Sequence, residues 1–512
     1  MHKHRLHPVA AVIQGVKSLK GMILPAIIIF AANGFTINLD FRDEDFWMDL
    51  IPILILCLVV ILTFISGIIR WVTFRYWFED SELRIQYGLF VKKNRFIPFD
   101  RIQTLNYKEG IFHRLFGLVQ VSVETAGGEA LKAEADLTAI TKAAANQIEE
   151  EMNAAKFGRE VAEEQKFVKP DEHVIYKMTP LELVGLATTS GGIGVIIAGV
   201  FTVVSQFADL LPFERIVGQL EGLIEFSAVV ISMLVFLGLV FAWILSVALT
   251  MLNYYDFKVA VENERIVITR GLIEKKRITV PLNRIHAVKI VENPLRQLFG
   301  WATVKLETAG GQVAEKGEGD LSVKLFPLIV KKEMYEPLQE LFPQYHFKQH
   351  ADAFTKSPMR ARPFFYRIDF LWTLPIVALV SYFLFPYGLL SILIFIPIIL
   401  LGIWQHKTAA FVILDNQMTL VSRFISKVTF VTSKNRIQSM QMRQSYFQKR
   451  RDVATVRVTV MSGVGGASAE AYHMERKEVE RCMSWYEHKK PPQSILQYSE
   501  AESLVEMKNE LE

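Results

Sequence analysis

The chain contains two closely similar stretches. Residues 88–128 read GLFVKKNRFIPFDRIQTLNYKEGIFHRLFGLVQVSVETAGG, and residues 271–311 read GLIEKKRITVPLNRIHAVKIVENPLRQLFGWATVKLETAGG. They align without a gap from Gly88 and Gly271 onward, and 17 of the 41 positions are identical. Because chance gives only about two or three identities over this length, the sequence indicates a duplicated domain.

A third and fainter copy follows later in the chain. In its alignment with the first copy, Lys92 corresponds to Lys427, and the run Arg101-Ile102-Gln103 corresponds to Arg436-Ile437-Gln438. The glycine that ends the first stretch, Gly128, corresponds to Gly463. The repeated unit therefore occurs three times, and internal repetition of this kind determines the whole architecture.

Within a copy, apolar and polar residues alternate for most of the length, which is typical of short antiparallel strands. In the first copy the pattern changes after Asp136, where apolar residues at four-residue spacing predict an amphipathic helix. The apolar face of this helix is predicted to contain Ile140, Ala144, Ile148 and Met152. The third copy ends in the same way, with Val479, Cys482, Met483 and Tyr486. We therefore expect each domain to be a curved sheet capped by one helix.

The chain has 512 residues and is 51% hydrophobic, and the excess lies in separate runs. A helix that crosses a bilayer needs about 20 apolar residues. Six runs have this length or nearly so, and they pair into three hairpins: Leu19 to Ile37 with Met48 to Trp71, Leu181 to Phe207 with Phe226 to Leu252, and Ile368 to Phe385 with Tyr387 to Trp404. We predict an integral membrane protein of the α plus β class, with six transmembrane helices and a β-rich domain after each hairpin.

The first of these runs has an alternative interpretation. It starts close to the N-terminus and contains Pro25, Asn33 and Gly34, so it could be a cleaved signal peptide. No convincing small-x-small cleavage site precedes the acidic loop that follows, and a second span begins immediately after that loop. We therefore interpret the first run as a retained anchor.

The charges between the runs predict an orientation. The loops inside the first two hairpins each contain four acidic residues and one basic residue, whereas the segments on the other side carry Lys17, Lys20, Arg70 and Arg75. By the positive-inside rule this basic side faces the cytoplasm. An even number of spans then places both termini and all three domains there. The two cysteines, Cys57 and Cys482, cannot form a disulfide framework, which fits a reducing compartment.

The motif that follows the hairpins resembles a known family. The order Gly-Leu-x8-Pro-x-x-Arg-Ile, Leu-Phe-Gly and Glu-Thr-Ala-Gly-Gly is similar to that of bacterial PH-like (bPH) domain membrane proteins, over roughly residues 20 to 490. The triplicated arrangement resembles the three-repeat members of this family. In the third copy Ser433 and Asp452 replace the proline and the glycine of the motif, so the binding role of that domain stays open.

This resemblance implies that each domain is a PH-like β half-barrel with a C-terminal helix, attached to the membrane and without known enzymatic activity. It implies participation in assemblies at the cell envelope, with a smaller single-repeat relative as a candidate partner. It also suggests a role in cell-envelope stress or in resistance to antimicrobial peptides.

The predicted boundaries alternate hairpins and domains. The transmembrane hairpins are 19–71, 181–252 and 368–404, and the PH-like domains are 72–165, 253–350 and 405–490. The remaining segments are a cytoplasmic N-terminus at 1–18, a linker at 166–180, a basic linker at 351–367 and an acidic polar tail at 491–512.

Basic residues near the predicted turns are candidates for contact with the membrane or a partner, because each Lys or Arg near an anionic leaflet contributes about 1 kcal/mol. The alternative is an ordinary solvated hairpin. In the third copy the basic cluster falls at a different turn and could serve the same purpose there. The candidates are Lys92, Lys93 and Arg95, then Lys275, Lys276 and Arg277, and finally Lys449, Arg450 and Arg451.

An arginine followed by isoleucine occurs at the same place in all three copies, as Arg101, Arg284 and Arg436. In a structural interpretation this side chain binds carbonyl groups and a neighbouring carboxylate, and its stem covers apolar surface. In a functional interpretation its planar guanidinium holds an anionic headgroup or the carboxylate of a partner. The sequence leaves both interpretations open.

The sequence gives little support for other functions. The net charge of +4 does not favour nucleic-acid binding. Neither a Gly-x-Ser-x-Gly elbow nor a Walker loop occurs, so we expect no enzyme and no cofactor. His2, His4 and His7 could bind a metal only weakly, and we expect no metal site. Phosphoinositide binding is disfavoured because the first hairpin turn of a copy is acidic, with Glu79 and Asp80.

We therefore expect a non-enzymatic membrane scaffold or binding protein. Its partners are predicted to be membrane lipids and a protein, with homo-oligomers as a further option, because three tethered modules favour multivalent contact. The alternative is a transporter for a lipid or peptide, or an accessory subunit of an export system. Small polar residues in the third span, such as Thr188, Thr189 and Ser190, are compatible with this alternative or with close helix packing.

Overall fold

A computed structural model describes residues 3–16, 46–89, 91–125, 134–157, 173–190, 227–262, 264–309, 322–349, 351–463 and 466–487. The chain forms two compact units. The first comprises Met1–Ile285, Leu295–Leu341 and Ser462–Gly465, and the second comprises His286–Pro294, Phe342–Met461 and Gly466–Glu512.

The helices fall into three groups by composition and position. The long apolar ones are α1 (Phe46–Thr73), α5 (Ser227–Tyr254), α8 (Phe364–Phe383) and α9 (Phe395–Thr408). Short helices inside the β-rich domains are α2 (Ile111–Leu115), α6 (Pro294–Leu298) and α10 (Tyr446–Arg450). The domains end in α3 (Lys142–Phe157), α7 (Tyr335–Leu341) and α11 (Arg476–Tyr486), and α4 (Pro180–Thr189) begins the second hairpin.

Among the described residues, four helical spans are long and apolar enough to cross a membrane. They are Leu54–Thr73, Phe236–Tyr254, Met359–Phe383 and Tyr387–Thr408. They coincide with the second, fourth, fifth and sixth predicted runs. The first predicted run, Leu19 to Ile37, lies outside the described residues, and only the first part of the third run is described, as α4.

The strands follow the same order in each repeat. The first repeat contains β1 (His4–Arg5), β2 (Arg75–Glu79), β3 (Glu82–Tyr87), β4 (Lys93–Pro98), β5 (Ile102–Glu109), β6 (Leu118–Thr125) and β7 (Ala135–Thr141). The second contains β8 (His173–Lys177), β9 (Lys258–Glu262), β10 (Arg265–Arg270), β11 (Lys275–Pro281), β12 (Ile285–Glu292), β13 (Trp301–Thr308) and β14 (Val323–Val330). The third contains β15 (Thr355–Lys356), β16 (Ala410–Leu414), β17 (Gln417–Arg423), β18 (Lys427–Ser433), β19 (Ile437–Arg443), β20 (Val453–Val460) and β21 (Ala467–Glu475).

The sheet of one repeat continues into the next. In the first unit, four strands form the order β1-β2-β3-β4, and seven form the order β7-β6-β5-β11-β10-β9-β8. Strand β5 of the first repeat is therefore hydrogen-bonded to β11 of the second, antiparallel, with Glu109 opposite Lys275. In the second unit β12 pairs in the same way with β18 of the third repeat, with Glu292 opposite Lys427.

Each repeat also begins earlier than the sequence analysis predicts. Short strands β1, β8 and β15 precede the hairpins and pair antiparallel with β2, β9 and β16, the first strands after the hairpins. The segments assigned to the N-terminus and to the two linkers therefore contribute to the domains that follow. A sequence signal was present, because each of these strands is followed within three residues by a proline: Pro8, Pro180 or Pro358.

The terminal helices pack as predicted, with one correction. Ile148 and Met152 of α3 are buried in the core of the first repeat, and Val479 and Cys482 of α11 are buried in the core of the third. The prediction that Ile140 lies on the first helix was wrong, since it belongs to β7 and pairs with Val119. Hydrogen bonding to β6 extends the strand up to Thr141, so the helix begins six residues after Asp136.

The turn between β10 and β11 depends on a glycine that we expect to be sensitive to substitution. Gly271 has φ of +101°, and a Cβ there would lie 2.2 Å from the carbonyl oxygen of Glu274. We predict that Gly271→Ala lowers the stability of the purified protein by about 1–3 kcal/mol, because both the backbone and the packing resist the new methyl group.

Gly300→Ala is the matched control. Gly300 also has a positive φ, +66°, but a Cβ there would meet no atom within 4 Å. Thermal unfolding in detergent should show the larger decrease in Tm for Gly271→Ala. Equal decreases for the two variants would contradict this account of the turn.

Candidate functional site

The turn between the third and fourth strands of each repeat (β3–β4, β10–β11 and β17–β18) lies against the end of an apolar span. In the second repeat the backbone N–H of Leu272 donates to the carbonyl of Leu252 in α5, at 2.9 Å. In the first repeat the N–H of Gly88 contacts Thr73 Oγ1 at 3.4 Å, and in the third Gln405 Nε2 of α9 donates to the carbonyl of Phe424 at 3.0 Å. These turns therefore lie beside the ends of the apolar helices.

Each of these turns exposes large apolar side chains, which we call the turn tips. Phe424 is 76% exposed and Val91 is 71% exposed. Such side chains are more often buried, and here they are exposed at one place in every repeat. The turn tips consist of Leu89 and Val91, of Leu272 and Ile273, and of Phe424 and Ile425.

A second apolar feature lies at the same end of the domains. The short helices α2, α6 and α10, with the residue that follows α2 and α6, expose further large apolar groups, which we call the helix tips. In the first unit Arg114 Nη1 of α2 donates to the carbonyl of Leu272 at 2.9 Å, so a helix tip of one repeat adjoins a turn tip of the next. The helix tips consist of Ile111, Phe112, Leu115 and Phe116, of Leu295, Leu298 and Phe299, and of Tyr446 and Phe447.

A buried polar side chain holds each short helix to the sheet beneath it. His113, Arg296 and Gln448 occupy equivalent positions, and all three are buried. His113 Nε2 lies 2.8 Å from the carbonyl oxygen of Thr138. Arg296 Nε donates to Thr189 Oγ1 at 3.0 Å, which ties α6 to α4. Burial lowers the pKa of the Arg296 guanidinium to about 10, so it remains charged at neutral pH.

The lysines that the sequence analysis selected follow the turn tips directly. Lys92 directly precedes β4 and Lys93 is its first residue, and both are exposed. Lys275, the first residue of β11, is exposed as well. Lys276 is half-buried and its Nζ lies 3.4 Å from Glu274 Oε1. This end of the strands therefore combines exposed apolar tips with positive charge.

Two other selected arginines lie further along the strands. Arg277 Nη2 pairs with Glu262 at 2.7 Å, and its guanidinium lies 5.8 Å from the centre of the Tyr107 ring. Arg95 is exposed, and its guanidinium donates to the carbonyl of Glu134. Both side chains therefore have partners within the fold.

In the third repeat the basic cluster lies on the helix tip. Lys449, Arg450 and Arg451 are exposed on α10 or directly after it. The Arg450 guanidinium lies 4.9 Å from the centre of the Tyr446 ring, and Arg451 Nη1 donates to the carbonyl of Arg360 at 2.9 Å. The third repeat therefore keeps positive charge near its tips, although on a different element from the first two repeats.

The shared arginines lie at the other end of the strands. Arg101, Arg284 and Arg436 each end a short 3-10 helix that joins the fourth strand of the repeat to the fifth, one strand length away from the turn tips. Arg284 Nη1 donates to the carbonyl of Ala309 at 3.4 Å, and burial lowers its pKa while Glu124 counteracts this shift. These arginines do not join the lysines in one site.

The first hairpin turn of the first repeat is acidic, as the sequence indicated. Arg84 pairs there with Glu79, with Asp80 at 2.8 Å and with Glu82 at 3.1 Å. The turn is therefore occupied by an internal charge network, which leaves no cluster of cations there for a phosphate. The predicted turns at Gly127 and Gly128, and at Gly310 and Gly311, lie outside the described residues.

The apolar tips were not recognised from the sequence. Leu115 and Phe116 are identical to Leu298 and Phe299 in the second copy, where they form part of the family motif. In the structure these side chains are 56% to 80% exposed. Identical large apolar residues next to a glycine, outside the alternating strand pattern, were the signal that could have indicated a surface.

A buried histidine near the third helix tip gives a pH-dependent prediction. His473 Nδ1 accepts a hydrogen bond from Gln448 Nε2 at 2.8 Å, and its ring lies within about 5 Å of Phe364 and Phe365. Burial, with a smaller effect from His406, lowers the pKa of His473 to about 4. Because the unfolded state binds this proton more readily, stability should decrease as the pH falls from about 6.5 to about 4.

His473→Asn should remove this dependence and tolerate the positive φ of +54° at that position. Between pH 7 and pH 4.5 the native chain should lose roughly 2 kcal/mol more stability than the variant. Thermal unfolding in detergent across this range is the measurement. Parallel pH curves for the two proteins would show that His473 does not titrate as described.

Comparison with known proteins places these observations in a family. The bacterial PH domain family matches residues 11–156, 192–338 and 372–490. The chain is 34% identical over 501 residues to the UPF0699 transmembrane protein YdbT of Bacillus subtilis (strain 168), covering 95% of this chain and 98% of that protein. No solved structure matches the chain. From the three matched repeats and the apolar spans, we conclude that this chain is a transmembrane protein of the bacterial PH domain family.

Proposed function

We propose that this protein is a non-enzymatic membrane scaffold whose three PH-like domains are held against the inner leaflet by their tips and bind a protein partner with the remaining surface. The observation that carries the proposal is the recurrence of exposed apolar tips beside the end of a span in all three repeats. A domain that was only tethered by its spans would not need apolar side chains at this place.

Apolar burial and charge both favour such attachment. Complete burial of a Leu or Phe side chain contributes about 1.5–3 kcal/mol. Each lysine near an anionic surface adds about 1 kcal/mol. By these values, two turn-tip side chains and two lysines, as in the first repeat, contribute about 5–8 kcal/mol when inserted.

The proposed orientation follows from charge. The tips that carry Lys92, Lys93, Lys275 and Lys276 belong on the side with anionic lipid and an excess of basic residues, which is the cytoplasmic side of a bacterial membrane. We therefore propose that both termini and all three domains are cytoplasmic. A role in cell-envelope stress or in resistance to antimicrobial peptides is part of this proposal and rests on the family resemblance.

A transporter for a lipid or peptide, or an accessory subunit of an export system, is the alternative. Such a protein is expected to carry ionisable groups inside its spans. In the described helices α1, α5, α8 and α9, acidic residues, lysines and arginines occur only near the ends, as Asp49, Arg70, Arg367, Asp369 and Lys407. This distribution supports the scaffold over the transporter.

The depth of the tips tests the proposal. Phe424 and Asn416 lie directly beyond opposite ends of β17, and both are exposed. A fluorophore on Phe424→Cys, in a chain with Cys57→Ala and Cys482→Ala, should be quenched by spin-labelled lipid in reconstituted vesicles. The same label on Asn416→Cys should not be quenched. Equal quenching at both positions would show that the turn tip is not inserted.

The contribution of the lysines is tested in the same vesicles. Changing Lys92 and Lys93 to Glu replaces attraction to anionic lipid by repulsion and leaves the β5–β11 junction intact. A label on Leu89→Cys should then lose quenching in vesicles that contain phosphatidylglycerol and change little in vesicles of phosphatidylcholine alone. Quenching that is unaffected by the charge reversal at low salt would exclude an electrostatic role for these residues.

A further inference from the structure

The junctions between successive repeats have the same register. Glu109 of β5 faces Lys275 of β11, and Glu292 of β12 faces Lys427 of β18. These pairs occupy equivalent positions, because the alignment of the repeats matches Glu109 with Glu292, and Lys92 with both Lys275 and Lys427. One mode of strand pairing is therefore used twice within this chain.

Both junctions place a carboxylate opposite the first lysine of the receiving strand. In the second junction Lys427 Nζ lies 3.3 Å from Glu292 Oε1. The first junction also sets Lys108 opposite Lys276, and Glu274 contacts the two ammonium groups at 2.8 and 3.4 Å. Like charges directly opposite each other are unfavourable in a sheet, so these carboxylates are part of what permits the pairing.

Two strands that are equivalent to the junction strands, β4 and β19, have no junction partner in the described part of the chain. Strand β4 ends the four-stranded sheet of the first repeat, and β19 ends the sheet β19-β20-β21 of the third. Phe96 of β4 is 56% exposed, whereas Val431, the equivalent residue of the paired strand β18, is 2% exposed. Strand β4 is therefore an edge strand that exposes a large apolar side chain.

The two open edges match each other poorly. If a second copy of this chain placed its β19 on β4 in the repeated register, Arg443 would face Lys93 and Gln444 would face Lys92. Val91 stands at the position of Glu274, so no carboxylate from that turn would separate the cations. Strand β4 is therefore preceded by a lysine, Lys92, at the position of Lys275 and Lys427. Directly after β19, however, Gln444 stands where the other junctions have a glutamate.

We propose that the open edge of β4 is a docking site for an extended strand of another polypeptide, antiparallel to β4 and carrying a carboxylate opposite Lys92. This inference rests on the proposed scaffold function and names its partner surface. Lysines on an edge strand often serve only to prevent pairing. Here the equivalent lysines, Lys275 and Lys427, lie on strands that are paired, so a lysine at this position is compatible with pairing when an acid faces it.

The test uses the full-length chain in proteoliposomes, with Cys57→Ala and Cys482→Ala. The receiving copy carries Arg95→Cys, and the probe copy carries Gln441→Cys, which faces Arg95 in the repeated register. The probe also carries Arg443→Val and Gln444→Glu. These changes give it the residues of the equivalent positions in β12, Val291 and Glu292. Only contact between two copies can produce the mixed disulfide.

We expect the altered probe to give about fivefold or more cross-linked dimer than a probe with native Arg443 and Gln444, because a repulsive pair is removed and an attractive pair is added. Lys92→Glu in the receiving copy should abolish this gain. Moving the probe cysteine to Ser439, two residues out of register, should give little cross-linking.

A second variant avoids any disturbance of the third repeat, where Gln444 Nε2 donates to the carbonyl of Val453 at 3.0 Å. Lys93→Glu in the receiving copy would face the native Arg443 and should also increase cross-linking. The proposal is overturned if neither variant increases it, if register has no influence, or if the native β19 pairs as well as the altered one. The last result would make a second copy the occupant. None of these results depends on tip insertion.

Discussion

Antiparallel pairing directly after each span is the constraint on which the arrangement of the domains depends. The strand that leaves a span runs away from the bilayer, and the next strand pairs with it and must return, as Arg75 opposite Gln86 shows. The following turn is therefore brought back to the end of the span, where hydrogen bonds to its last turn fix it. Because all three repeats share this geometry, their apolar turns lie beside membrane helices without any further contact being required.

The organisation of the chain was largely predictable from its sequence. Self-similarity between residues 88–128 and 271–311 revealed the repeats, and hydropathy revealed four spans that the structure describes. The amphipathic helix of the third repeat was predicted correctly through Val479 and Cys482, which are both buried. These features depend on local pattern, which a sequence shows directly.

What the sequence did not reveal depends on contacts between distant residues. The start of α3 was misplaced because pairing with β6 holds Ile140 in a strand, although its spacing suits a helix. The tips were missed because an apolar residue in a turn is recognisable as exposed only when its neighbours are known. The charged candidates also separated into two groups, since Lys92 and Arg101 lie at opposite ends of one strand.

Successive repeats are joined by strand pairing, so they are not independent domains connected only by linkers. A strand of the first repeat completes the sheet of the second, and the second does the same for the third. The proposal that a different polypeptide pairs with β4 follows from the register of these junctions, since Arg443 of a second copy would face Lys93 there.

The most direct test of the central claim, that the three domains lie on the inner side of the membrane, is labelling of Asn416→Cys with a membrane-impermeant maleimide. The position is exposed and lies at the end of β17 away from the turn tip. In a chain without other cysteines, we predict no labelling in intact cells and complete labelling after permeabilisation. Labelling in intact cells would place the domain outside and contradict the account.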